Sequence, residues 1–420
     1  MGRRATLHAS ALPAPGREQA PRLSPELRLL TACARWPRDE ARAHALRDAA
    51  RMSIDWPVFV EIVRRHRMAA MALDGLRQAD IALPDATVVA LRAQAGTDTR
   101  QILATVAEAA AIDSLATASG ETYAVVKGPA MAKLAYGDIA LRQCRDLDVL
   151  MDLDAALRFR TTLIAAGYRQ LAPQNIVHEA GLRRWLRFQK DFTLFSPRTG
   201  ALVELHTRLM NNPHLLAPDF GSTGRQRVAI GGGITVPTLG DDDQLLYLCV
   251  HGAHHGWMRL KWLADIAALL ERRGAGEIER LHAVARQRGL HIPFGQALLL
   301  CKRLLDTPLP PALTARLHRS VRVRLLERIA LRLLTEPREV VQLRFGTTLL
   351  VVSQSLLRTG ARFWGTEAAQ SLVDCTLLES LGGSRNALAL AILLRPFAWI
   401  WRRTGLHWFD RAPLTSTAKA

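Results

Sequence analysis

Residues 145–152 read R-D-L-D-V-L-M-D, with acidic and apolar side chains in alternation. A period of two marks a β-strand with one face buried. Residues i and i+2 of a strand share a face, so Asp146 and Asp148 stand side by side while Leu147 and Val149 point into packing. Two like charges this close are costly unless something positive lies between them. Hard divalent cations meet that need, and Mg²⁺ takes carboxylate oxygens together with substrate phosphates. A two-metal site for phosphoryl or nucleotidyl transfer needs such a pair, usually with a third carboxylate. A bare D-x-D also occurs in surface loops and helix caps. Its setting in an apolar strand makes this one a better metal candidate than a bare D-x-D, with the surface or cap reading still open.

The texture around this strand is mixed. Ser24-Pro25-Glu26 is a helix start, and helical patterns continue to about residue 118. The segment IDWPVFVEIVRRHRMAAMALDGL reads as one helix capped by Asp55, and residues 86–118 as a longer helix or a broken pair. TYAVVKG is a short buried strand and PAMAKLAYG a short helix. KDFTLFSPRTGALVELHTRL reads as a hairpin turning at Pro197 to Gly200. Residues 119–210 are therefore mixed α/β. The chain from residue 211 onward opens on turns, including IGGGITVP, and becomes helical after Asp241.

Composition sets outer limits. With 420 residues, 49% hydrophobic and 22% charged, the chain has an ordinary globular balance and room for two or three domains. That excludes a disordered, collagen-like or disulfide-stapled chain. The net charge of +18 fits anionic partners such as phosphorylated substrates, nucleic acid or an acidic membrane surface, and fits a merely solvated arginine-rich face as well. No RNA- or DNA-binding motif with interleaved aromatics accompanies it. Only six of the 56 basic residues are lysine. Five scattered cysteines without a CxxC pair fit a reducing compartment, hence a cytoplasmic location. The basic opening has no apolar core of a secretory signal, and no run of about 18 apolar residues predicts a transmembrane helix. Residues 386–411 combine Trp, Leu and Ile with arginines. They read as a docked terminal helix or a peripheral membrane contact.

Two further features carry chemistry. In AVVKGPAMAKL, Gly128 at a strand-to-helix turn permits close backbone approach, the helix N-terminus favours anions, and Lys127 adds a point charge. An ordinary βα turn explains the same residues. In ALVELHTRL, Glu204 shares a face with His206 and is a candidate third carboxylate, or the solvent face of a hairpin. His251 and His255 lie on one helical face, but without an HExxH glutamate they read as packing residues at a junction. Asp265 reads as the partner of a neighbouring arginine.

Taken in order, VVKG, Tyr136, Arg142, Asp146-Leu147-Asp148 and VELH resemble a poorly characterised bacterial nucleotidyltransferase family with the pattern LKG…Y…R…D-x-D…E-L-H, within the DNA polymerase β-like superfamily. The resemblance covers most of residues 54–270. It implies an α+β fold, mostly α overall: a small mixed-sheet nucleotidyltransferase core flanked by N-terminal and C-terminal helical domains. The expected division is a tail over 1–23, helices over 24–118, the core over 119–210, a helical domain over 211–410 and a tail over 411–420. It also implies that Asp146 and Asp148 hold Mg²⁺ (or Mn²⁺), that Glu204 completes the site and assists deprotonation of the acceptor, and that Gly128 and Lys127 receive the triphosphate. Arg142 matches a family arginine that would bind phosphate, and Lys261 the basic residue reaching the triphosphate from the adjoining helices. One departure stands out. The superfamily's Gly-Ser turn is Gly128-Pro129 here, so a phosphate-binding hydroxyl is missing.

The expected activity is Mg²⁺-dependent transfer of a nucleoside monophosphate from an NTP, with pyrophosphate released. The acceptor is open among a metabolite, a glycan precursor, a protein and an RNA, with a lean toward biosynthesis. Two other readings stay open: a catalytically inactive nucleotide- or partner-binding module of the same fold, and a D-x-D glycosyltransferase. No series of Rossmann-like βα units supports the last.

Overall fold

The structure is a computed structural model and describes residues 23–217, 219–221, 224–337 and 346–395. Five helices come first: α1 (Pro25–Cys33), α2 (Glu40–Ala50), α3 (Trp56–His66), α4 (Ala69–Gln78) and α5 (Asp85–Ser119). Ser24 caps α1 and Asp55 caps α3, accepting from the backbone N–H of Leu27 and Val58. The segment read as one helix over residues 54–76 is thus two. Its apolar face continues across the break, which is why periodicity did not show it. The cause is tertiary. Arg67 takes a left-handed φ of 60°, while Arg65 donates to the carbonyls of Leu333 and Leu334 and His66 Nδ1 accepts from Leu260 N–H at 3.0 Å.

Residues 85–119 form one unbroken helix, ended by Gly120 at φ 68°. By length and composition α5 could cross a bilayer, but it packs here against the sheet and carries buried polar groups inward. Glu108 accepts from the Tyr168 hydroxyl and from Thr199, and Asp98 from Gln143.

The core follows as β1 (Ala124–Val125), α6 (Gly128–Tyr136), β2 (Asp146–Leu150), α7 (Leu153–Ala165), β3 (Arg169–Ala172), α8 (Glu179–Phe188), β4 (Asp191–Phe195) and β5 (Leu202–His206). Among the described residues these strands make one five-stranded mixed sheet in the order β1-β2-β5-β4-β3. β2 and β5 are parallel and the other pairs antiparallel. The expected β4–β5 hairpin is present, with Gly200 at φ 73° in its turn. The stretch read as turns after residue 211 holds a second hairpin, β6 (Gln226–Gly231) and β7 (Ile234–Thr238). The glycines that suggested only loop are its tight turn.

The remaining helices are α9 (Asp241–His254), α10 (Leu260–Glu271), α11 (Ala275–Gln287), α12 (His291–Leu305), α13 (Pro311–Arg319), α14 (Val321–Thr335), α15 (Gly346–Ser355), α16 (Ala361–Leu372), α17 (Cys375–Ser380) and α18 (Arg385–Leu393). The whole is a mostly helical α+β fold. Its apolar interior has two main clusters. One joins α1–α4 to α9–α14, and the other joins α5 and both sheets to α17 and α18. The tails and most of the amphipathic stretch 386–411 lie outside the described residues.

Gly252 sits inside α9 because Trp257 folds back onto it. A Cβ there would come within 2.2 Å of the indole ring, and Trp257 is fully buried. Overpacking of that kind costs roughly 1–3 kcal/mol. Gly252→Ala is expected to lower the unfolding free energy by about 2 kcal/mol in a urea titration.

Candidate active site

The parallel ladder between β2 and β5 builds the site. Its register sets Asp148 opposite Glu204 and Leu150 opposite His206. On the other edge of β5, β4 sets Asp191 opposite His206. The side chains on this face close a ring of charge. Asp148, 1% exposed, takes the Lys127 ammonium at 3.0 Å and His206 Nε2 at 2.9 Å, both on Oδ1. His206 Nε2 also lies 3.3 Å from Glu204 Oε2. Its Nδ1 lies 3.1 Å from Lys190 Nζ and 3.5 Å from Asp191. Lys190 pairs with Asp191 and approaches Glu204 at 3.8 Å.

The ring explains the proton affinities. Burial works to raise the Asp148 carboxyl, but Lys127 and then His206 outweigh it and hold it well below the usual carboxylate range. Asp146 goes the other way. Burial and the negative charges of Asp148 and Glu204 push it up, with Lys127 and Lys261 opposing. Among the described residues no hydrogen bond or ion pair reaches its carboxylate. For His206, burial and Lys190 push down, but Asp148, Glu204 and Asp191 prevail and its pKa is raised.

Asp148, Glu204 and His206 each offer a ligand atom within 4.8 Å of the others. The donor set tests what would bind. Carboxylates suit a hard ion such as Mg²⁺, and an imidazole beside them adds tolerance for Mn²⁺. The candidate carboxylates Asp148 and Glu204 are thus together, with Asp146 two residues earlier on the same strand. Lys190, Asp191 and a role for His206 were not read from the sequence. The one available signal was that Lys190, among only six lysines, immediately precedes the strand paired with VELH.

The Lys127–Gly128 turn abuts this cluster. Gly128 has φ 64°, and a Cβ on it would meet Cys144 Sγ at 3.2 Å, so the turn lies close against the entry to β2. Lys127 is the residue before α6, and its side chain makes no cap to the helix. It reaches instead to Asp148.

Arg142 is buried, with its Nε on Asp265 at 3.0 Å; the Tyr136 hydroxyl donates to the other oxygen of Asp265 at 2.9 Å. The arginine partner expected for Asp265 is therefore Arg142, and its charge is committed there. Lys261 lies next to this triad. Its ammonium donates to the Gln143 carbonyl at 3.3 Å. Burial first, then Arg142 and Arg67, lower its pKa to about 7. The unfolded chain therefore binds one more proton than the folded one between about pH 7 and the ordinary lysine value, and stability rises with pH across that window. Urea titrations at pH 7 and pH 9 are expected to show the rise in the wild type and not in Lys261→Met.

His251 meets His255 and Trp262 edge to face, and His255 lies tilted against Trp262; the two histidines pack with aromatic rings rather than gathering carboxylates.

The family model for uncharacterised nucleotidyltransferases matches residues 52–306, more than half of the chain. The chain belongs to this family. The match runs from α3 through the acid cluster to the end of α12, so it includes every element that lines the site. As a nucleotidyltransferase, it belongs among proteins that move a nucleoside monophosphate group from an NTP. No curated protein matches the chain.

Proposed function

We propose that this nucleotidyltransferase is an active, divalent-metal-dependent enzyme that releases pyrophosphate, with Asp146, Asp148 and Glu204 as its metal-binding carboxylates. The observation that carries the reading is the β2–β5 register, which pairs Asp148 with Glu204 across one ladder and leaves Asp146 on the same face. Bound Mg²⁺ or Mn²⁺ would supply Lewis-acid stabilisation of the phosphoryl oxygens. The chain's residues supply the rest. Lys127 and the backbone at Gly128 receive the triphosphate, standing in for the absent turn serine. Lys261 on α10, with its pKa lowered to about 7, gains its full positive charge when a triphosphate approaches it. Glu204 accepts the proton of the acceptor hydroxyl. Arg142, committed to Asp265, holds the segment between α6 and β2 against α10 instead of touching phosphate. Positioning and fixed charge would account for most of the rate.

A metabolite, glycan precursor, protein or RNA acceptor fits this reading equally, and the cytoplasm is its proposed location. The second reading is an inactive nucleotide-binding module. It draws on Pro129 at the turn and on Lys127 and His206 already occupying Asp148.

Calorimetric titration with each NTP, with and without Mg²⁺, separates them. The enzyme reading expects metal-dependent binding in the wild type, lost in Asp146→Asn/Asp148→Asn, and pyrophosphate release once an acceptor is supplied. Binding that persists without metal and in the double variant would favour the inactive module.

A further inference from the structure

One face of α9 carries aromatic rings at helical spacing. Tyr247, His251 and His255 are four residues apart and follow one another along the helix. Their successive ring centroids are 5.9 and 4.6 Å apart. The row starts at the acid cluster, where Lys127 Nζ lies 5.9 Å from the centroid of the Tyr247 ring. Eight residues of α-helix carry it outward by about 12 Å. Trp262 of α10 closes the far end, 5.4 Å from His251 and 5.5 Å from His255.

The two ends differ in exposure. Tyr247 is buried, whereas His251, His255 and Trp262 each keep part of their surface open. The imidazoles are also uncharged near neutral pH. Burial above all, with Lys127 and Lys190 among the smaller causes, takes His251 well below its ordinary value and His255 to about 3. Core packing explains Tyr247. It accounts for only part of Trp262, and it leaves solvent-facing ring surface in a mostly buried group of neutral, flat rings that leads away from Lys127, the lysine beside the carboxylates proposed to hold metal. Such surfaces suit a planar aromatic ligand, because every base offers a π-face to stack.

We propose that His251, His255 and Trp262 form the seat of the nucleobase of the bound NTP. This rests on the reading above, with the triphosphate at the Lys127–Gly128 turn. A nucleotide anchored there by its phosphates extends its base toward the outer end of the row. Stacking discriminates weakly among bases, so the site favours nucleotides over bare polyphosphate more than one base over another.

The test compares two ligands on the full-length protein by calorimetry with Mn²⁺ present: the tightest-binding NTP, and inorganic tripolyphosphate, which has the phosphates but no base. Trp262→Ala and His255→Ala are each expected to weaken NTP binding about tenfold, the lower end of what one base stack contributes. Tripolyphosphate binding should stay at the wild-type level. Trp262→Phe should restore most of the loss, which separates stacking from a folding defect. Equal losses for both ligands, or no loss for either in folded variants, would overturn the proposal. If Asp148→Asn binds tripolyphosphate as the wild type does, the reading of the acid cluster fails instead, whatever the aromatic variants do.

Discussion

Asp146→Asn and Asp148→Asn are both expected to cut pyrophosphate release by on the order of 10³-fold, yet to move stability in opposite directions. Each removes one charge from the proposed metal pair, so transfer suffers alike. Their surroundings differ. Asp146 has like-charged neighbours and no ion-pair partner among the described residues, and its pKa is raised. Its Asn variant relieves repulsion, so its unfolding free energy should equal or slightly exceed that of the wild type. Asp148 holds the buried Lys127 and His206. Neutralising it strands two positive groups out of water, at about 3 kcal/mol. The pH dependence follows the same sign. A depressed carboxyl pKa stabilises above the unfolded value, near pH 4, and that contribution is lost as pH falls. Asp148→Asn should therefore flatten the acid limb of stability. Full turnover in Asp148→Asn would remove the metal role assigned to it, and an unchanged urea midpoint would undo the account of the charge ring.

Asp265→Ala should be the more damaging change to the fold. Arg142, Tyr136 and Asp265 are all buried, and one carboxylate satisfies both partners. Removing it leaves a guanidinium and a phenol unpaired, at about 3–5 kcal/mol. The triad also ties α6 to α10, and hence the Gly128 turn to Lys261. A displacement of about 1 Å between groups that position a substrate can cost roughly 10²-fold in rate. Urea unfolding and pyrophosphate release should fall together in Asp265→Ala. Arg142→Met/Asp265→Leu should recover most of the stability, because an apolar pair carries no stranded charge. If Arg142→Gln weakens NTP binding at unchanged stability, the arginine meets phosphate after all.

How far the fold and the site were legible in the sequence depended on how local each determinant is. The alternation around Asp146 and Asp148 is a property of eight consecutive residues, and the strand was legible from them. So was the hairpin through Pro197 to Gly200. The break between α3 and α4 was not, because Ile62, Val63 and Met71 keep the helical period while the interruption comes from bonds to Leu260, Leu333 and Leu334. The β6–β7 hairpin was hidden by its glycines, which signal a turn more strongly than short flanking strands signal a sheet. At the site, the acids were legible as a motif, but their counter-charges were not. Lys190 and Asp191 reach His206 only once β4 lies against β5, and Arg142 meets a carboxylate 123 positions away.

The parallel register of β2 and β5 also decides where this chain can lengthen. Everything from Met151 to Ala201 is an excursion that leaves one strand and returns to its neighbour. Residues added at its loops change its girth and leave the acids facing each other. One residue inserted between Leu202 and Val203 of β5 would be different in kind. It would bring Val203 opposite Asp148 and turn Glu204 and His206 through the sheet to the other side. Length variation among relatives should therefore gather in that excursion and stop abruptly at the two strands, so that the gaps in an alignment outline the site as clearly as its shared residues.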